Sequence, residues 1–128
     1  MIEKYLKECK LCPRNCKVNR LNGEKGKCLN NINPKVALAT LHYYEEPCIS
    51  GKNGSGTVFF SGCNLSCKYC QNYEISQLGK GNEITIEELA STFIELKNKG
   101  ANNINLVTGF AFVPQIIEAL NLAKQKGL

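Results

Sequence analysis

No apolar run in this 128-residue sequence approaches the ~20 residues needed to cross a bilayer. The first eight residues, Met1 to Glu8, are charged throughout and lack the apolar stretch of a signal peptide. There is no internal repeat and no low-complexity segment. Sixteen basic against eleven acidic residues leave a net charge of +5, but Lys and Arg are scattered rather than clustered. No nucleic-acid patch and no membrane partner are therefore expected. Histidine occurs once, as His42, and a lone histidine in an apolar stretch is more often packed than catalytic. The expected compartment is the cytoplasm, where thiols stay reduced. The eight cysteines then read as metal ligands before they read as disulfides.

The densest chemistry lies in Gly62-Cys63-Asn64-Leu65-Ser66-Cys67-Lys68-Tyr69-Cys70-Gln71-Asn72. Three thiols follow a C-x3-C-x2-C pattern, with an aromatic residue directly before the third. Soft thiolates select iron–sulfur clusters or zinc over hard cations. A four-iron cluster held wholly by protein wants a fourth cysteine, and none follows in this loop. One iron would then keep an open position for a small molecule, as catalytic metal sites do. Zinc competes here, although the spacing differs from the paired C-x2-C of zinc ribbons.

A second group, Cys9, Cys12, Cys16 and Cys28, is spaced C-x2-C-x3-C-x11-C among turn-forming Pro, Asn and Gly residues. Four thiols on a stretch this poor in apolar residues suggest a knuckle organised by metal, either zinc or an iron–sulfur cluster. Structural metal and an auxiliary electron-transfer cluster are both chemically sound. Cys48 stands outside both groups and reads equally as a small buried apolar residue.

The pattern predicts a short helix over residues 2–7 and a strand over Val36–Tyr44. A buried strand is expected at Thr57–Phe60, bounded by Gly51, Gly54 and Gly56. Glu83–Lys99 is a helix, with Thr85 and Glu88 as a capping box and Ile86, Leu89, Ala90, Phe93 and Leu96 as its apolar stripe. Gly100 ends it. Asn103–Thr108 reads as a strand, and Pro114 opens a second helix over Gln115–Lys126. The sum is a βαβα unit whose strands should be parallel.

Cys63, Cys67, Tyr69 and Cys70 match the signature of the radical S-adenosylmethionine (radical SAM) superfamily. The wider run resembles uncharacterised relatives of pyruvate formate-lyase activating enzyme. That narrower likeness rests on Glu45-Glu46-Pro47, Gly54-Ser55-Gly56-Thr57, Phe59 to Leu65, Cys70 to Ser76, Phe112-Val113-Pro114-Gln115 and the N-terminal cysteines. It implies that Cys63, Cys67 and Cys70 each bind one iron of a [4Fe–4S] cluster and that SAM chelates the fourth. It implies reductive cleavage of SAM to methionine and a 5′-deoxyadenosyl radical, with flavodoxin or ferredoxin as electron donor. A glycyl-radical protein is the implied substrate. Tyr69 is similar to a residue that contacts the adenine, with plain loop packing as its alternative. Asn72 suits a hydrogen bond to the cluster sulfurs. Non-enzymatic rivals are an iron–sulfur carrier or electron-transfer module, and a zinc-stabilised binding module.

The fold implied is α/β: the N-terminal portion of a partial, TIM-like (β/α) barrel. The expected division is a cysteine-rich metal-binding segment at 1–35 and an incomplete radical SAM domain at 36–128. A βα unit takes about 30 residues or more, so only about two fit after Thr57. The chain reads as the front portion of a longer protein, with the last strand an open edge. Where the subgroup carries a Pro-Thr-His-like run for the SAM amino group, this chain has Thr108-Gly109-Phe110-Ala111, leaving backbone groups for that contact.

Overall fold

The computed structural model describes residues 2–42, 51–65, 67–71, 73–76 and 78–128. Glu45-Glu46-Pro47, Cys48 and Asn72 lie outside the described residues, as does the side chain of His42.

Four strands form one sheet in the order β3-β1-β2-β4, with β1 at Lys35–His42, β2 at Ser55–Phe60, β3 at Asn82–Glu83 and β4 at Ile104–Val107. β2 and β4 run parallel, pairing Gly56 with Ile104 and Phe59 with Val107. β1 is antiparallel to both β2 and β3. The expected parallel pair is thus present, but the sheet as a whole is mixed. A parallel crossover needs a helix-sized link, and α3 (Ile86–Asn98) supplies it between β2 and β4. β1 runs antiparallel to its sequence neighbour β2, with His42 paired to Ser55. Among the described residues the sheet is open, with β3 and β4 at its edges. The expected βαβα unit is β2–α3–β4–α4, with α4 at Val113–Gln125.

The helices follow their sequence signals closely. Glu88 N–H donates to Thr85 Oγ1 at 3.1 Å, and Thr85 N–H to Glu88 Oε1 at 3.3 Å, completing the capping box. At the other end Gly100 sits at φ +97, with Gly100 N–H on Lys97 O and Ala101 N–H on Leu96 O. That is a Schellman ending, which needs a residue at ease in the left-handed region. Leu89, Ala90, Phe93 and Leu96 face inward from α3, and Ile116, Ala119 and Ala123 from α4. They close over Val58 and Phe60 of β2 and Phe112, forming the core. Two short elements carry little periodic signal: α2 (Tyr73–Ser76) and the two-residue β3.

Residues 2–34 are built differently. They hold α1 (Glu3–Leu6), one 3-10 turn at Arg20–Asn22 and otherwise turns. Cys9 N–H donates to Val18 O and Lys17 N–H to Cys9 O, closing the first cysteine loop on itself. Asn15, Lys17 and Leu29 take positive φ values, as irregular turns demand.

Candidate active site

β2 delivers the three-cysteine loop at its C-terminal end, the edge where parallel α/β sheets gather their chemistry. The root of the loop is tied from several sides. Ser61 N–H donates to Lys35 O at 2.8 Å, Gly62 N–H to Ile75 O at 2.9 Å, and Ser61 Oγ to Lys80 O. Gly62 is required on two grounds. Its φ is +81, and a Cβ would stand 2.2 Å from Cys28 O and 2.5 Å from Asn30 Nδ2. The loop therefore leaves the sheet pressed against the N-terminal segment.

Across from it, β4 ends at Thr108, a β-branched residue at φ +57, where such side chains are rare. Its hydroxyl donates to Phe60 O at 2.5 Å, fastening the end of β4 to the end of β2. Gly109 follows, and a Cβ there would meet Ile116 Cδ1 at 2.9 Å. Between the two strand ends lies a cavity of about 430 Å³, walled by Cys63, Asn64 and Leu65 on one side and Thr108, Gly109 and Phe110 on the other. That volume suits a small organic ligand. Leu106, Ile116 and Ile117 make its floor largely apolar.

Cys63 and Cys70 are half-buried and Cys67 is exposed. Leu65 N–H points at Cys63 Sγ from 3.5 Å. The Tyr69 ring is 97% exposed, so packing within the loop is not what occupies it. Among the described residues no group of three or more His, Cys, Asp and Glu side chains has the geometry to hold a metal ion. Of the three cysteines Cys63 lines the cavity, and the three sulfurs are not gathered at ligating positions. As a donor set, three thiols with no fourth in the loop suit a cluster with one unligated iron.

The N-terminal cysteines adjoin this loop. Cys9, Cys12, Cys16 and Cys28 line a second, much smaller cavity, whose wall includes Asn64 of the three-cysteine loop. Arg14 Nε donates to Asn64 O at 2.6 Å, and Arg14 Nη2 lies 3.4 Å from Leu65 O. Arg20 is buried, 1% exposed, and donates to Asn31 O and Ala111 O. Its guanidinium lies over the Phe112 ring and 4.0 Å from Cys9 Sγ. Burial pushes the Cys28 thiol up, opposed by the Asn30 backbone hydrogen bond and by Arg20. The Asn30 side chain, buried against Gly62, has neither its oxygen nor its nitrogen hydrogen-bonded. Arg20 and Asn30 escaped the sequence reading. Both looked like surface residues of a polar loop, and nothing local marks them as buried.

The radical SAM superfamily model matches residues 57–128, more than half of the sequence; the chain belongs to that superfamily. It is 34% identical over 110 residues to an uncharacterized protein of Methanocaldococcus jannaschii, a match covering 80% of this chain and 31% of that protein. It is 29% identical over 99 residues to a protein of Clostridium pasteurianum named pyruvate formate-lyase-activating enzyme, covering 73% of this chain and 42% of that one. The chain thus spans less than half the length of either relative. No solved structure matches significantly. Membership implies a [4Fe–4S] cluster, SAM and a source of electrons. Among the described residues no helix is long and apolar enough to cross a membrane.

Proposed function

We propose that Cys63, Cys67 and Cys70 hold three irons of a [4Fe–4S] cluster and that SAM occupies the cavity between Cys63 and Thr108–Phe110. The observation that supports this most directly is that a cavity of about 430 Å³ opens beside Cys63 at the paired ends of β2 and β4. When bound, the reduced cluster supplies the electron that cleaves SAM to methionine and a 5′-deoxyadenosyl radical. The rest is the work of this chain. Thr108 and Gly109 offer backbone groups to the polar end of SAM. Leu65, Phe110 and Ile117 give the cavity apolar walls that keep water from a reactive centre. Tyr69, which is almost wholly exposed, is read as an adenine platform. Asn72 is read as a hydrogen-bond partner of the cluster sulfurs.

The likeness to a protein named pyruvate formate-lyase-activating enzyme extends the reading to a glycyl-radical protein as substrate. A flavodoxin or ferredoxin would then serve as reductant. A cytoplasmic setting, where thiols stay reduced, suits this chemistry.

The test is anaerobic reconstitution with iron and sulfide, reduction, and electron paramagnetic resonance with and without SAM. A [4Fe–4S]+ signal that shifts on adding SAM is expected. Cys67→Ala should abolish the SAM-responsive signal. A second reading, a cluster carrier that does not cleave SAM, draws on Cys67 and Cys70 standing apart from the lining of the cavity. A cluster signal indifferent to SAM would favour it. Absence of any cluster would return the three-cysteine loop to zinc.

A further inference from the structure

We infer that the N-terminal segment carries a site for a single tetrahedral zinc ion, ligated by Cys9, Cys12, Cys16 and Cys28 and separate from the three-cysteine loop. Four cysteines drawn from a twenty-residue stretch of chain converge on one cavity. The space they share is about 20 Å³, close to the room one water-sized sphere occupies. One ion at Zn–S distances near 2.3 Å fits such a space once the four sulfurs close on it, whereas a cuboidal iron–sulfur cluster would have to open it.

The surroundings match a four-thiolate ion, which carries a net charge of about −2. Arg20 places a permanent positive charge 4.0 Å from Cys9 Sγ, inside the protein. The chain also makes room for a sulfur: a Cβ at Gly26 would lie 2.5 Å from Cys16 Sγ. Residues 10–31 bury no apolar side chain of their own. A polar loop of this length needs another source of folding energy, and structural zinc is a common one. The four sulfurs surround the cavity without standing at ligating positions. The ion would draw them inward as it displaces their protons.

The test uses the full chain with Cys63, Cys67 and Cys70 all replaced by Ser, so that its outcome is independent of the radical SAM reading. Titration with Co2+ should give the absorption of a tetrahedral four-thiolate complex, saturating at about one equivalent, and Zn2+ should displace it. Adding Cys12→Ser and Cys28→Ser should remove that absorption. A folded triple variant, judged by its helical circular dichroism, that shows no such absorption would overturn the site. Should the triple variant not fold, zinc-edge X-ray absorption of the unsubstituted, iron-reconstituted chain decides. A zinc shell of four sulfurs near 2.3 Å supports the site; no bound zinc, or zinc with fewer than four sulfur ligands, overturns it.

Discussion

The two parts of this chain solve the problem of staying folded by different physics. From Ser55 onward, ten buried apolar side chains among the described residues share one core, drawn from two helices, a strand and the 3-10 turn at Gly109–Phe112. Among the described residues before Pro34, only Leu6 and Cys9 are buried apolar side chains, beside Arg20 and Asn30. The first part rests on area removed from water, the second on particular hydrogen bonds and, on the inference above, on metal. The difference teaches where each is fragile. A core tolerates the loss of any one polar contact, whereas a polar knuckle has few contacts to lose.

Substitutions can break or sharpen this contrast. Phe93→Ala, at a wholly buried ring of α3, should cost about 3–5 kcal/mol in denaturant unfolding; a loss under about 1 kcal/mol would deny that the core is shared. Gly62→Ala acts at the seam between the two parts. Its strained φ and the 2.2 Å approach to Cys28 O predict a loss of roughly 1–3 kcal/mol, together with faster proteolysis of residues 9–31. Unchanged proteolysis would separate the two parts mechanically. Thr85→Ala removes the helix cap and should cost about 1 kcal/mol, leaving cleavage within 9–31 unaltered. Arg14→Ala should cost least, below about 1 kcal/mol, since the side chain is exposed. Its signature is faster cleavage within 63–71, and no change there would show that Arg14 does not brace that loop.

Much of the region from Ser55 onward was legible because it obeys periodic rules. The Thr85–Glu88 box, Gly100 and Pro114 each mark a helix end by a local backbone requirement, and each operates as expected. The parallel pairing of Thr57–Phe60 with the strand before Thr108 followed from the helix between them. The antiparallel strand β1 was legible as a strand but not in its direction, which depends on a connection rather than on its own residues. In the candidate site, three cysteines and their spacing could be read directly. The cavity opposite Cys63 could not, because Thr108 and Phe60 are 48 residues apart. Arg20 and Asn30 were hidden for the same reason: their burial is conferred by Ala111, Phe112 and Gly62.

Those distant partners also set an order in time. Arg20 donates to Ala111, 91 residues further on, and Ile32 O accepts from Gln115, 83 residues further on. At roughly 5–20 residues per second, a ribosome makes Arg20 roughly 5–20 seconds before the carbonyl that receives it. For much of that interval the N-terminal thiols exist with no completed sheet to rest against. The segment that is synthesised first gains its long-range partners only once Ala111 and Gln115 are made.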